Sequence, residues 1–145
     1  MLRASFIAAL LSLLAASACN KPQTADHPVD AYIAFTKLAE RDPKAGYEAL
    51  SKSTRDLLAA KSKELSAASG GSIVDDPAMI FFARPGKAKP VEDVKVVEEK
   101  GDVATLEVKS GGQVEQVRMV REDAKWRVDL ADRVGAATKN EVKAQ

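Results

Sequence analysis

At Val91 the apolar residues of this chain change their spacing, and that change constrains the fold more than any other feature. Upstream they recur every third or fourth position; downstream, as far as Leu130, they recur every second. The first period belongs to helices and the second to strands. Helices followed by a run of strands, rather than alternating with them, imply an α+β domain with an antiparallel sheet. Four strands are predicted: Val91–Glu99, Val103–Lys109, Val114–Arg121 and Trp126–Leu130. Gly111-Gly112 suits a two-residue hairpin and sets Leu106 opposite Val117 and Ala104 opposite Met119. A three-residue loop at Lys100–Asp102 sets Val96 opposite Leu106, Lys95 opposite Glu107 and Asp93 opposite Lys109, the last two pairs of opposite charge. The third connection lies around Asp123-Ala124 and sets Met119 opposite Val128 and Arg118 opposite Asp129. Alanine is a poor residue for positive φ, so a four-residue loop of the same parity is expected there. In this register one face reads Val94, Val96, Ala104, Leu106, Val108, Val117, Met119, Trp126, Val128 and Leu130, and the other is mostly charged. A sheet with one apolar face needs helices to cover it.

The helices come first. One starts near Asp26–Pro28, with a capping residue and then proline in the first turn, and places Val29, Tyr32, Ile33, Phe35, Leu38 and Ala39 on one broad face. Asp42-Pro43 ends it and opens a short second helix to Leu50. Ser53-Thr54-Arg55-Asp56 resembles a capping box for a third, running to about Ala67 with Leu57, Leu58 and Leu65 as its apolar stripe. Ser69-Gly70-Gly71-Ser72 breaks it. Asp76-Pro77 opens a fourth, short helix carrying Met79, Ile80, Phe81 and Phe82, which is expected to cover one edge of the core. The predicted architecture is three N-terminal helices plus a short fourth, packed on one face of a curved four-stranded antiparallel meander. The domain spans 28–130, and 131–145, small and polar, reads as a frayed tail.

The amino end is of another kind. Met1-Leu2-Arg3 is followed by Ala4–Ala18 without a charge, and then by Cys19, the one cysteine in the chain. A basic start, an apolar run and small residues before a cut make a secretory signal. The run is shorter than the ~20 residues a bilayer-spanning helix needs. Ala16-Ser17-Ala18 fits general signal cleavage, which leaves Cys19 a free thiol, an unfavourable residue in an oxidising compartment. Ala15-Ala16-Ser17-Ala18-Cys19 also resembles the lipobox of bacterial lipoproteins, with alanine where the commoner motif has leucine. That resemblance implies cleavage of residues 1–18, a diacylglycerol on Cys19, an acylated tether over 19–27 and a place in the bacterial cell envelope. Asn20 implies, by analogy, the outer membrane facing the periplasm. Eight residues, 20–27, reach ~25 Å when extended.

Composition narrows the function. The chain has 22 basic and 21 acidic side chains, and a leader that takes Arg3 with it leaves the two equal. A neutral domain lacks the basic excess that drives binding to nucleic acid. With 46% apolar residues the chain can build a core. One histidine, His27, and one cysteine leave no zinc cluster, and Gly70-Gly71 lacks the lysine of a phosphate-binding loop. No cofactor is expected. Asp75-Asp76 reads as helix capping.

Two segments carry a further resemblance: Leu50-Ser-Lys-Ser-Thr-Arg-Asp-Leu-Leu58 and Arg121-Glu-Asp-Ala-Lys-Trp-Arg-Val-Asp-Leu130. Together with the order of three helices and a meander, they are similar to the cystatin-like α+β fold of nuclear-transport-factor-2-like domains, and especially to those of small uncharacterised bacterial lipoproteins. Enzymes of that superfamily place acids and bases inside the cone. Here the middle of the apolar face has none; Glu98, Glu115 and Arg121 share its parity but lie near strand ends. The expectation is therefore a non-enzymatic, membrane-anchored domain for an envelope protein or a small apolar ligand. A small enzyme with a pocket between helices and sheet, and an adaptor that inhibits an enzyme, are the alternatives. The candidate contact residues are Met79, Phe82, Arg84, Lys87 and Lys89, an apolar knuckle beside a basic loop.

Overall fold

The computed structural model describes residues 27–83 and 89–136. The helices are α1 (Pro28–Arg41), α2 (Pro43–Glu48), α3 (Lys52–Ala68) and α4 (Pro77–Phe82); the strands are β1 (Val91–Lys100), β2 (Val103–Ser110), β3 (Gln113–Glu122) and β4 (Lys125–Asp129). A further helical turn and a half, α5, covers 131–136. The sheet is antiparallel throughout in the order β1-β2-β3-β4. The fold is α+β. The expected leader and Cys19 lie outside the described residues, as do Arg84 and Lys87. No described helix is long and apolar enough to cross a membrane.

Side-chain caps set the helix starts. His27 Nδ1 accepts from the Val29 amide at 3.4 Å, and Pro28 follows it at the first helical position, where its missing N–H costs nothing. Asp42 ends α1 in an extended conformation and caps α2 through bonds from the Lys44 and Ala45 amides. Gly46 then lets α2 approach α1 closely: a Cβ there would sit 2.8 Å from Ala39 Cα. The N-cap of α3 is Ser51, not the expected Ser53, because the Ser51 amide is already held by the Val128 carbonyl at 2.8 Å. The buried face of α3 also differs from the expected stripe. Its buried line is Thr54, Leu58 and Ser62, while Leu57 faces out.

The core lies between the helices and one face of the sheet. Ala104, Leu106, Val108, Val117, Met119, Trp126 and Val128 from the strands meet Tyr32, Leu50 and Leu58, with Phe35, Phe81, Phe82, Val94, Val96 and Leu130 packed around them. Every cross-strand pair predicted above is present, but two of the connections differ. The β1–β2 turn has two residues, with Lys100 opposite Val103, and an extra residue at Val97 restores the predicted register beyond it. Such a β-bulge moves side chains to the other face, so Glu98 lies opposite Thr105 on the charged side, not on the apolar side.

The β3–β4 turn also has two residues, with Glu122 opposite Lys125; Asp123 (φ 50°) and Ala124 (φ 59°) both lie in the left-handed region. The right-handed twist of the flanking strands selects this turn over the four-residue loop, and Ala124 bears the strain. Ala124→Gly is therefore expected to raise stability by about 1 kcal/mol, read as a higher urea midpoint at unchanged slope. A lower midpoint would show that the turn is not strained.

The tail departs most from expectation. Leu130 and Val134 are one helical turn apart, the Val134 amide bonds to the Leu130 carbonyl at 3.0 Å, and both side chains pack on the core. Residues 131–136 thus belong to the domain; 137–145 lie outside the described residues.

Candidate functional site

Two concavities flank the end of the sheet where β1 begins. A groove of about 410 Å³ runs between α1 and β1, with Ile33, Val91 and Val94 as apolar lining and Lys37, Glu40 and Glu92 as charged walls. A cleft of about 540 Å³ lies against the β2–β3 turn, lined by Lys89, Ser110, Gln113, Val114 and Glu115. Both have the size of small-ligand sites, but both are wide open, and charged side chains form much of their walls.

The structure separates the predicted contact residues. Phe82 turns inward and meets Phe35 edge to face, ring centres 6.3 Å apart. Met79 stays outward, 56% exposed. The carboxylates nearby are consumed internally: Asp76 caps α4 through the Met79 amide, and Asp75 accepts from the buried Ser62 hydroxyl at 2.5 Å. Lys89 goes instead to the β2–β3 turn. Its aliphatic stem lies against Gly111, where a Cβ would meet Lys89 Cδ at 2.5 Å, and its ammonium donates to Gln113 Oε1 at 3.3 Å. The Ser110 hydroxyl bonds to the Lys89 carbonyl and holds the segment down.

At that cleft Glu115 meets a partner that the sequence reading missed, Arg133. Glu115 lies opposite Val108, on the parity of the apolar face but beyond its end. Arg133 of α5 donates to it at 3.0 Å and also bonds to the Gln116 carbonyl. Burial pushes the Tyr32 phenol above its ordinary value; the Glu115 charge raises it further and Arg133 opposes that. The signal for Arg133 was the Leu130/Val134 spacing, which marks a helical turn. Glu115 and Arg133 are each about half exposed. A general base needs a carboxylate aimed into a water-poor pocket; this one is paired and faces water. Arg121, the third polar residue of that parity, stacks on Trp126 at 4.7 Å, a packing contact. Among the described residues no cluster of three or more His, Cys, Asp and Glu is placed to hold a metal ion.

The most densely bonded polar cluster is elsewhere. Asp129 Oδ1 accepts from the Ser51, Ser53 and Thr54 hydroxyls and from the Ala131 amide, while Thr54 Oγ1 accepts from the Leu130 amide at 2.8 Å. Arg118 lies 3.5 Å from the second carboxylate oxygen. Burial alone would raise the Asp129 carboxyl; these hydrogen bonds outweigh it and hold the pKa below the ordinary value. The Leu50–Leu58 and Arg121–Leu130 segments meet here, joined by the parallel bridge between Leu50 and Val128. Ser51 and Thr54 are fully buried, so the cluster welds α3 to the end of β4 and offers nothing to a ligand. Compared with protein-family models, curated proteins and solved structures, the chain matches none.

Proposed function

We propose that this chain is a lipoprotein of the bacterial cell envelope, anchored in the outer membrane through Cys19, with a small nuclear-transport-factor-2-like domain that binds a partner protein or a small apolar ligand without catalysis. The observation that carries the binding reading is the groove of about 410 Å³ between α1 and β1, with Ile33, Val91 and Val94 in its lining, while Glu115, Arg121 and Arg133 near the strand ends are each held by protein partners. The anchor reading is supported by the uncharged run before Cys19 and by the short tether that ends at the His27 cap. The three helices, the meander and the junction of the two resembling segments support the family reading. Several buried acyl chains, at about 0.8 kcal/mol per CH₂, hold such a protein firmly to a bilayer.

Mass spectrometry of the protein from its own membranes tests the anchor. The expected mature chain begins at Cys19 and carries a thioether-linked diacylglycerol. An unmodified sulfur, with partition into the aqueous phase, overturns it. In the same strain Glu115→Gln is expected to leave the cellular role intact; loss of that role in a normally folded protein would favour the small enzyme instead.

A further inference from the structure

The two edges of the sheet are treated differently. The outer edge of β4 is covered by residues 49–51, whose Ser51 amide and Ala49 carbonyl bond to Val128. The outer edge of β1, ten residues long, has no strand beside it among the described residues. An open edge is a template for another strand. β1 is mostly charged, and Val97 in its middle is 52% exposed.

We propose that β1 pairs antiparallel with β1 of a second copy of this chain, about a two-fold axis between Val96 and Val97, so that the two sheets become one of eight strands. The bulge makes this register possible. Asp93 and Lys95 lie opposite Lys109 and Glu107; Glu98 and Lys100 lie opposite Thr105 and Val103. All four therefore share the charged face, although the first two positions are odd and the last two even. In an unbulged strand an odd residue could not meet an even one across a two-fold axis, because they would lie on opposite faces. With Val97 inserted, Asp93 meets Lys100 of the partner copy and Lys95 meets Glu98 of the partner copy, each twice by symmetry. Val96 and Val97 pair at the axis. An isologous contact must be complementary to itself, and the charges of this edge are.

The intrachain ion pairs do not prevent this. Lys95 reaches Glu107 at 2.7 Å and Lys100 reaches Glu98 at 2.5 Å; Lys95, Lys100 and Glu98 are exposed and Glu107 is partly buried. On association Lys95 lies between two carboxylates, Glu107 on one flank and the partner's Glu98 on the other. The same charges would repel a second strand in the register centred one residue nearer the amino end of β1, where Asp93 would oppose Glu98.

Sedimentation equilibrium of the full chain in density-matched detergent, over a hundredfold range of concentration, tests the proposal. The mass is expected to rise from one copy toward two. Lys95→Glu and Glu98→Lys, on side chains 62% and 55% exposed, each set like charges against each other twice, and each alone is expected to weaken association about tenfold or more. An equimolar mixture of the two variants opposes every glutamate with a lysine and is expected to regain the wild-type affinity. A wild-type chain that stays at one copy overturns the proposal. So does a dimer that neither variant weakens, or a mixture that does not recover. Circular dichroism of each variant confirms that its fold is unchanged.

Discussion

Asp129→Ala is expected to destabilise the domain by about 3 kcal/mol or more. The side chain is only 10% exposed and accepts from three hydroxyls and one amide. Its removal leaves the buried Thr54 hydroxyl without its acceptor, the Ser51 hydroxyl with Thr54 Oγ1 in its place, and Arg118 without its nearest carboxylate. An unsatisfied buried polar group costs about 1–3 kcal/mol. It also loosens the start of α3 from the end of β4, which the Leu50–Val128 bridge and the bond from the Leu130 amide to Thr54 Oγ1 then join. The acid behaviour follows from the same bonds. The folded-state pKa lies below the ordinary value of 3.8. A group depressed in the folded state stabilises fully above its unfolded pKa, and the contribution is lost as pH falls through the folded pKa. Urea titrations of the wild type and of Asp129→Asn should therefore differ by a constant amount at neutral pH and converge below about pH 4. An alanine variant within 0.5 kcal/mol of wild type would sink this account of the cluster.

That cluster also marks what was legible in the chain before its structure. The alternation from Val91 to Leu130 determines the faces of the sheet, because one apolar side must be buried and a slip of one residue would expose it. Opposite charges at Lys95/Glu107 and Arg118/Asp129 add to the same register. The register was right, but the reason for it between β1 and β2 was not. A two-residue turn with a bulge at Val97 and a three-residue loop without one place Val96 against Leu106 alike. Local pattern cannot separate them, since only the turn end differs. At Asp123-Ala124 intrinsic preference argued for a longer loop, and the twist of the long β3 strand overrode it. Ser51 was passed over as a cap because its role depends on Val128, far along the chain. Tertiary contacts of this kind have no local signature. The helical turn of α5 did have one, in Leu130 and Val134, but two apolar positions are a weak signal amid small polar residues. The site was less legible than the fold. Met79, Phe82 and Lys89 are close in sequence, yet each faces a different neighbourhood, because α4 caps an edge of the core while Lys89 is drawn to the β2–β3 turn.

The second large effect is expected at the centre of the sheet. Leu106 is fully buried, with Val96 and Val117 on either side across the strands and Ala104 and Val108 on its own face. Leu106→Ala removes the transfer free energy of the side chain and leaves a cavity, a combined cost of 2–5 kcal/mol in such sites. The upper half of that range applies here. β2 is hydrogen-bonded on both edges, to β1 and β3, so its backbone cannot sink to fill the space, and the small Ala104 beside it offers no bulk that could swing in. A loss of about 4 kcal/mol corresponds to a fall in Tm of roughly 15 °C or more for a domain of this size. Leu106→Met, which keeps the volume, is expected to cost under about 1.5 kcal/mol, and Val114→Ala, at an exposed position of β3, about 0.5 kcal/mol or less. Thermal scans of the three variants separate the explanations. If Leu106→Ala were no worse than Val114→Ala, the apolar face would not be the core on which the helices rest, and the helices would have to be held chiefly by the caps and the Asp129 cluster. If all three fell together, the sheet would owe its stability to strand propensity rather than to burial. The expected order, alanine at Leu106 far below the other two, follows only if one face of the meander is sealed by α1 and α3, which is the arrangement that the change of period at Val91 demands.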